Sequence, residues 1–118
     1  MIKLKTPSTA RWEHFGKIKP TLGIVIYDLA DWLYLKLGRD ITITSMIRPK
    51  LDDSGIHAEG RAVDIAADFD MQTGEEMMDY INKMYVYDVN RLKYKTIIRH
   101  ESKAYNDNAL HYHIQVRG

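Results

Sequence analysis

Three side chains in this sequence, His57, Asp64 and His113, are of the right types to hold one zinc ion. Zinc in proteins takes imidazole nitrogen and carboxylate oxygen, and a catalytic site keeps a fourth position for water. His57 and Asp64 are close together in the sequence, whereas His113 lies near the other end of the chain. A fold must therefore bring two distant segments together before such a site exists.

The second segment, His111-Tyr-His113, lies in a predicted strand over 110–116. Residues two apart in a strand point to the same face, so both imidazoles project together and Tyr112 projects away from them. Two histidines on one face serve as two metal ligands, or as one ligand and one acid–base or electrophilic group. For the spacing alone, a surface histidine pair is an equally good interpretation.

Asp64 falls in a short predicted strand over 61–65 that is otherwise rich in apolar residues. A carboxylate is expensive to bury there unless it is paired or bound to a metal. The alternative is a carboxylate that caps a turn. Gly60 allows a tight turn before the strand, which would fold His57 back over Asp64.

Composition limits the class of protein. The chain has 118 residues, which predicts a single domain over 1–118, with 45% hydrophobic and 28% charged residues as in ordinary soluble proteins. The net charge of +1 does not suggest a nucleic-acid partner or a membrane surface, and the absence of cysteine excludes disulfides and thiolate zinc sites. Residues 1–19 show no signal-peptide core, so we expect the protein to stay in the cytoplasm of the cell that makes it unless lysis releases it. We also expect a monomer.

The hydrophobic pattern predicts an α+β fold in which two main helices pack against a small, mostly antiparallel sheet that carries the zinc site. The predicted elements are, in chain order, a helix beginning at Pro20 and ending at Gly38, strands over 41–45 and 61–65, a helix opened by a Thr73–Glu76 capping box, and strands over 94–99 and 110–116.

The stretch His57-Ala-Glu-Gly-Arg-Ala-Val-Asp64-Ile resembles the zinc motif of the D-alanyl-D-alanine carboxypeptidase and dipeptidase family and of the hedgehog signalling domain. In both, a His and an Asp seven positions later supply two zinc ligands, and a His in a C-terminal strand supplies the last. The resemblance covers roughly residues 41–116 and implies that Zn²⁺ binds to His57, Asp64 and His113. The closing His-x-His also resembles lysostaphin-type enzymes.

The same resemblance implies three catalytic residues. The first His of His-x-His assists catalysis in that superfamily, which points to His111. Glu101 matches a hedgehog glutamate and is the other candidate general base; the choice stays open because Leu110 stands where the carboxypeptidases carry an acid. Arg48 matches a carboxypeptidase arginine that faces the substrate, and it would stabilise the developing oxyanion or hold a substrate carboxylate.

The implied activity is zinc-dependent hydrolysis, through a zinc-bound water, of an amide bond in the peptidoglycan stem peptide. D-Ala-D-Ala and L-Ala-D-Glu are the two bonds to consider, and small relatives of this kind are often phage endolysins. The alternative is a non-catalytic, zinc-stabilised hedgehog-like binding module or a phage structural component. His100 alternates with Glu101 along its strand, so both cannot face the metal, and we expect His100 to lie outside the site.

Overall fold

The computed structural model describes residues 1–5, 10–47, 59–101 and 110–117, and at Glu101 it describes the backbone only. The elements are β1 (Ile2–Leu4), a 3₁₀ helix (Trp12–Gly16), α1 (Pro20–Leu37), β2 (Ile41–Ser45), β3 (Ala62–Ala66), α2 (Met71–Met84), β4 (Ile97–Glu101) and β5 (Leu110–Gln115). The five strands form one sheet in the order β1-β2-β3-β5-β4. The predicted α+β class, with two main helices on one small sheet, is confirmed.

The sheet is mixed rather than purely antiparallel. The pairs β2–β3, β3–β5 and β4–β5 are antiparallel, whereas β1 lies parallel to β2 at the edge. The sequence analysis did not predict β1, because a strand of three residues is too short to show a periodic pattern. The two strands that carry the candidate site, β3 and β5, are neighbours near the middle of the sheet.

The helices cover one face of this sheet. Alternate residues of β3 and β5, among them Val63, Ile65 and Ile114, belong to a buried core that also includes the apolar stripe of α1. Because side chains alternate along a strand, the residues between them lie on the opposite face. This alternation puts Asp64 on the face away from the helices.

Helix α1 has the predicted bounds. Pro20 occupies its first turn, and Gly38 ends it in the left-handed conformation with φ 66°, donating its backbone N–H to the carbonyl of Tyr34 at 2.7 Å. Among the described residues, no helix combines the length and the apolar character needed to cross a membrane.

Helix α2 and strand β4 do not begin where the sequence predicts. Helix α2 begins at Met71, because the carboxylate of Asp70 accepts hydrogen bonds from the backbone N–H of Thr73 at 3.0 Å and from its hydroxyl at 2.7 Å. Thr73 is therefore inside the helix rather than its N-cap. Strand β4 begins at Ile97 instead of position 94, since the N–H of Tyr94 closes a turn on the carbonyl of Arg91.

The tight turn predicted at Gly60 is present. Gly60 has φ 71°, and its carbonyl accepts a hydrogen bond from the N–H of Lys19 at 2.8 Å. A Cβ added at Gly60 would overlap the backbone carbonyl oxygen of Lys17. The chain thus enters β3 pressed against the segment that precedes α1, at a position that favours glycine for two separate reasons.

Candidate metal centre

Asp64 is the buried centre of the candidate site. It is only 6% exposed, and the sheet register sets it opposite His113 of β5. On its other side, the pairing of β2 with β3 changes register between Ile43 and Ser45. Ser45 therefore pairs with Asp64. Such an irregularity redirects side chains and is frequent beside functional sites. A carboxylate at this depth requires partners that offset its desolvation.

His113 is the principal partner of that carboxylate. Its Nδ1 lies 3.0 Å from Oδ1 of Asp64, and its Nε2 lies 3.1 Å from Oε1 of Gln115. The amide of Gln115 is itself oriented, because its Nε2 donates to the carbonyl of Lys95 at 2.9 Å. Oε1 must therefore accept the hydrogen bond, and Nε2 of His113 must be the donor.

The protonation of His113 has a direct chemical consequence. With the proton on Nε2, neutral His113 presents the Nδ1 lone pair towards the Asp64 carboxylate. Two electron-pair donors 3.0 Å apart repel each other unless a proton or a metal ion lies between them. The pair therefore suits either an imidazolium–carboxylate ion pair or two ligands of one metal.

The distance fits the metal interpretation. Two ligands of one tetrahedral zinc, each about 2.0–2.1 Å from the ion, lie roughly 3.3 Å apart. The observed 3.0 Å between Nδ1 of His113 and Oδ1 of Asp64 needs only a small adjustment to reach that value. The hydrogen bond from Nε2 to Gln115 is the kind of support that metal-bound histidines ordinarily have.

Gln115 was missed by the sequence analysis. The available signal was its spacing: Gln115 stands two residues after His113 in β5, so it shares the face of the imidazole. An amide has no pattern of its own that marks it as a histidine partner. Its role depends on the carbonyl of Lys95, which only the fold brings near.

His111 lies on the same face, as predicted. Its Nε2 is 3.9 Å from Oδ1 of Asp64, longer than a hydrogen bond and close enough for a charge interaction when the imidazole is protonated. Tyr112 projects to the other face, also as predicted. Its hydroxyl accepts hydrogen bonds from Nε and Nη2 of Arg99 at 3.2 and 3.1 Å.

This polar contact on the helix side is structural. The hydrogen bond from Arg99 to Tyr112, followed by the ion pair with Glu75 at 2.7 Å, raises the pKa of the Arg99 guanidinium above its ordinary value. Tyr112 itself is 1% exposed and stacks on Phe69 with ring centres 5.5 Å apart. The tyrosine between the two histidines therefore anchors β5 to the helix layer.

His100 lies beside the site, contrary to our expectation. It pairs with His111 across β4 and β5, and the two rings meet edge to face with centres 5.1 Å apart. Glu101 is the last residue of β4, and its backbone pairs with Leu110. The expectation assigned Glu101 rather than His100 to the face of the metal, whereas the β4–β5 register puts His100 opposite His111.

Ser45 is a second feature that the sequence analysis did not assign to the site. It is 7% exposed, and within the described part of the chain its hydroxyl has no hydrogen-bond partner. The neighbouring Thr44 hydroxyl contacts the Asp64 backbone carbonyl at 3.3 Å. The backbone register nevertheless makes Ser45 the cross-strand neighbour of Asp64.

Two predicted site residues, His57 and Arg48, lie outside the described residues. Within residues 1–5, 10–47, 59–101 and 110–117, no group of three or more His, Cys, Asp or Glu side chains is arranged to hold a metal ion. The predicted triad includes His57, so the structure brings together two of its three ligands, Asp64 and His113. Comparisons with protein-family models, with curated proteins and with solved structures give no match.

Proposed function

We propose that this protein is a zinc-dependent peptidase that hydrolyses an amide bond in the peptidoglycan stem peptide. The observation that carries the proposal is the contact between Asp64 and His113, in which Gln115 directs the Nδ1 lone pair of the imidazole at the carboxylate. The sequence motif that links His57 to Asp64 supports the identity of the third ligand.

His57, Asp64 and His113 would hold the ion, and neutral imidazole and carboxylate are ligands that zinc prefers. When bound, zinc supplies Lewis acidity and lowers the pKa of a water molecule enough for it to act near neutral pH. His111, whose Nε2 lies 3.9 Å from the Asp64 carboxylate, would accept a proton from the attacking water and return it to the leaving amine. Glu101 is the alternative general base, but it follows His100 in β4 and alternates with it, so the pairing of His100 with His111 favours His111 in this role.

Arg48 would bind the substrate. Its guanidinium is always charged, so it suits the oxyanion that develops on the scissile carbonyl or a terminal carboxylate of the substrate. The substrate class rests on the resemblance of the His57–Asp64 motif to the carboxypeptidases, with D-Ala-D-Ala and L-Ala-D-Glu as the two candidate bonds. An endolysin, released from the producing cell by lysis, is the biological setting we propose.

One observation favours a second function. Leu110 occupies the place where the carboxypeptidases carry an acidic residue, and its side chain is 37% exposed. A site that holds zinc without a general base would be a hedgehog-like binding module or a structural component of a phage particle. In that case His111 would have no role in chemistry.

Digestion of purified peptidoglycan distinguishes these functions. Zinc-loaded protein is incubated with the polymer beside the variants His57→Ala and His111→Ala, and new amino groups and soluble fragments are measured. Release that is lost in both variants and in chelator supports the peptidase, and the product mass identifies the bond. Stoichiometric zinc binding without any release would instead support the binding module.

A further inference from the structure

We propose that His100 and His111 form a second divalent-metal site, separate from the ligands His57, Asp64 and His113. The two histidines are direct cross-strand partners in β4 and β5. Directly opposite residues of an antiparallel pair share a face, and their Cβ atoms lie about 4.5–5.5 Å apart. This spacing allows two imidazoles to approach one ion together.

The ring geometry fits shared coordination. When two imidazoles bind one tetrahedral ion at about 2.0–2.1 Å, with each ring centre roughly 1.1 Å beyond its nitrogen, the ring centres lie about 5.2 Å apart. The rings of His100 and His111 have centres 5.1 Å apart, with an angle of 60° between their planes. The separation of the two ring centres is therefore compatible with shared coordination of one ion.

Accessibility and ligand type define the metal. His100 is exposed, and His111 is half-buried, so an ion can reach the pair from solvent. Within the described ranges, no group of three or more His, Cys, Asp or Glu side chains is arranged to hold an ion, so the two imidazoles are the protein ligands we propose. Two imidazoles with water suit Zn²⁺, Ni²⁺ and Cu²⁺ better than Mg²⁺ or Ca²⁺.

The second site would regulate the first. A metal on His111 removes the lone pair that the proposed hydrolysis needs for proton transfer, so excess zinc would inhibit the enzyme. This consequence rests on the proposed function, whereas metal binding by His100 and His111 does not.

Calorimetric titration with Zn²⁺ alone tests the site. We expect wild-type protein to bind one equivalent more than His100→Gln. The control is Ile98→Ala, a half-exposed residue two positions earlier on the same strand, which should keep the wild-type stoichiometry. In His57→Ala, the His100-dependent equivalent should persist, so that failure of the proposed catalytic site leaves this result unaffected.

Histidine ring resonances in NMR spectra provide a second measurement. Zinc should shift the rings of His100 and His111 at the same molar ratio. Equal stoichiometry and affinity in wild type and His100→Gln would overturn the proposal, as would a titration in which the His111 ring shifts and the His100 ring does not.

Discussion

Replacing Gly60 by alanine tests whether the close approach before β3 is a requirement of the fold. Gly60 combines a left-handed φ of 71° with a direct contact to the backbone of Lys17 and Ile18. Gly38 has nearly the same φ, 66°, but an added Cβ there meets nothing within 4 Å. Gly38→Ala is therefore a matched control that carries the conformational strain without the contact.

The magnitudes follow from these two terms. A left-handed conformation costs a non-glycine residue about 1–2 kcal/mol, and loss of backbone freedom in the unfolded chain returns about 0.4–1 kcal/mol. Gly38→Ala should thus lower the free energy of unfolding by about 1 kcal/mol. At Gly60 the Cβ would overlap the Lys17 carbonyl and lie 3.0 Å from the Ile18 Cα, which adds an overpacking cost of about 1–3 kcal/mol.

Urea unfolding of the two variants and of wild type measures the difference. We expect Gly60→Ala to lose about 2–4 kcal/mol, a large part of the roughly 5–15 kcal/mol that stabilises a typical domain. Gly23→Ala, inside α1 with no neighbour near the added Cβ, should be as stable as wild type or more stable. If Gly60→Ala loses no more than Gly38→Ala, the contact with Lys17 does not constrain the entry to β3.

Three further changes have expected outcomes. Gln115→Leu removes the oxygen that accepts the hydrogen bond of the His113 imidazole, and it should weaken zinc affinity by about 10–100-fold in a competition titration. Gln115→Glu keeps an acceptor oxygen and should retain most of the zinc affinity. Gly74→Ala places a Cβ on the Tyr112 hydroxyl and should lower the melting temperature; an unchanged value would mean that β5 shifts freely. The hydrogen bond from Arg91 lowers the pKa of Asp88. The ionised carboxylate therefore stabilises the fold above its ordinary pKa, and this contribution is lost as pH falls through the lowered value. Asp88→Asn should remove this loss and so flatten the acid side of a plot of unfolding free energy against pH.

Residue patterns predicted much of the fold and the face of the site. The apolar stripe of α1, with proline at its start and glycine at its end, was sufficient to predict that helix. Alternation in β5 placed His111 and His113 together, and both lie within 4 Å of Asp64. These features depend on local geometry, which a single sequence records directly.

The missed features depend on contacts between distant segments. Strand β1 is stabilised by its pairing with β2. Gln115 is oriented towards the His113 imidazole because its amide donates a hydrogen bond to the carbonyl of Lys95. The pairing of His100 with His111 follows from the β4–β5 register, which the pattern of either strand alone does not determine. The N-cap of α2 is Asp70 rather than the predicted Thr73, because the Asp70 carboxylate accepts a hydrogen bond from the backbone N–H of Thr73.

The decisive measurement is zinc affinity at the Asp64–His113 pair. It is made in the His100→Gln background, so that only this site is counted, and Asp64→Asn and His113→Gln are compared with their parent by competition with a chromophoric chelator. We predict that the parent binds one zinc ion tightly and that either substitution abolishes tight binding, because each removes a ligand. Unchanged affinity in both variants would mean that the 3.0 Å contact between Asp64 and His113 is an ordinary ion pair and that this protein is not a zinc enzyme at that site.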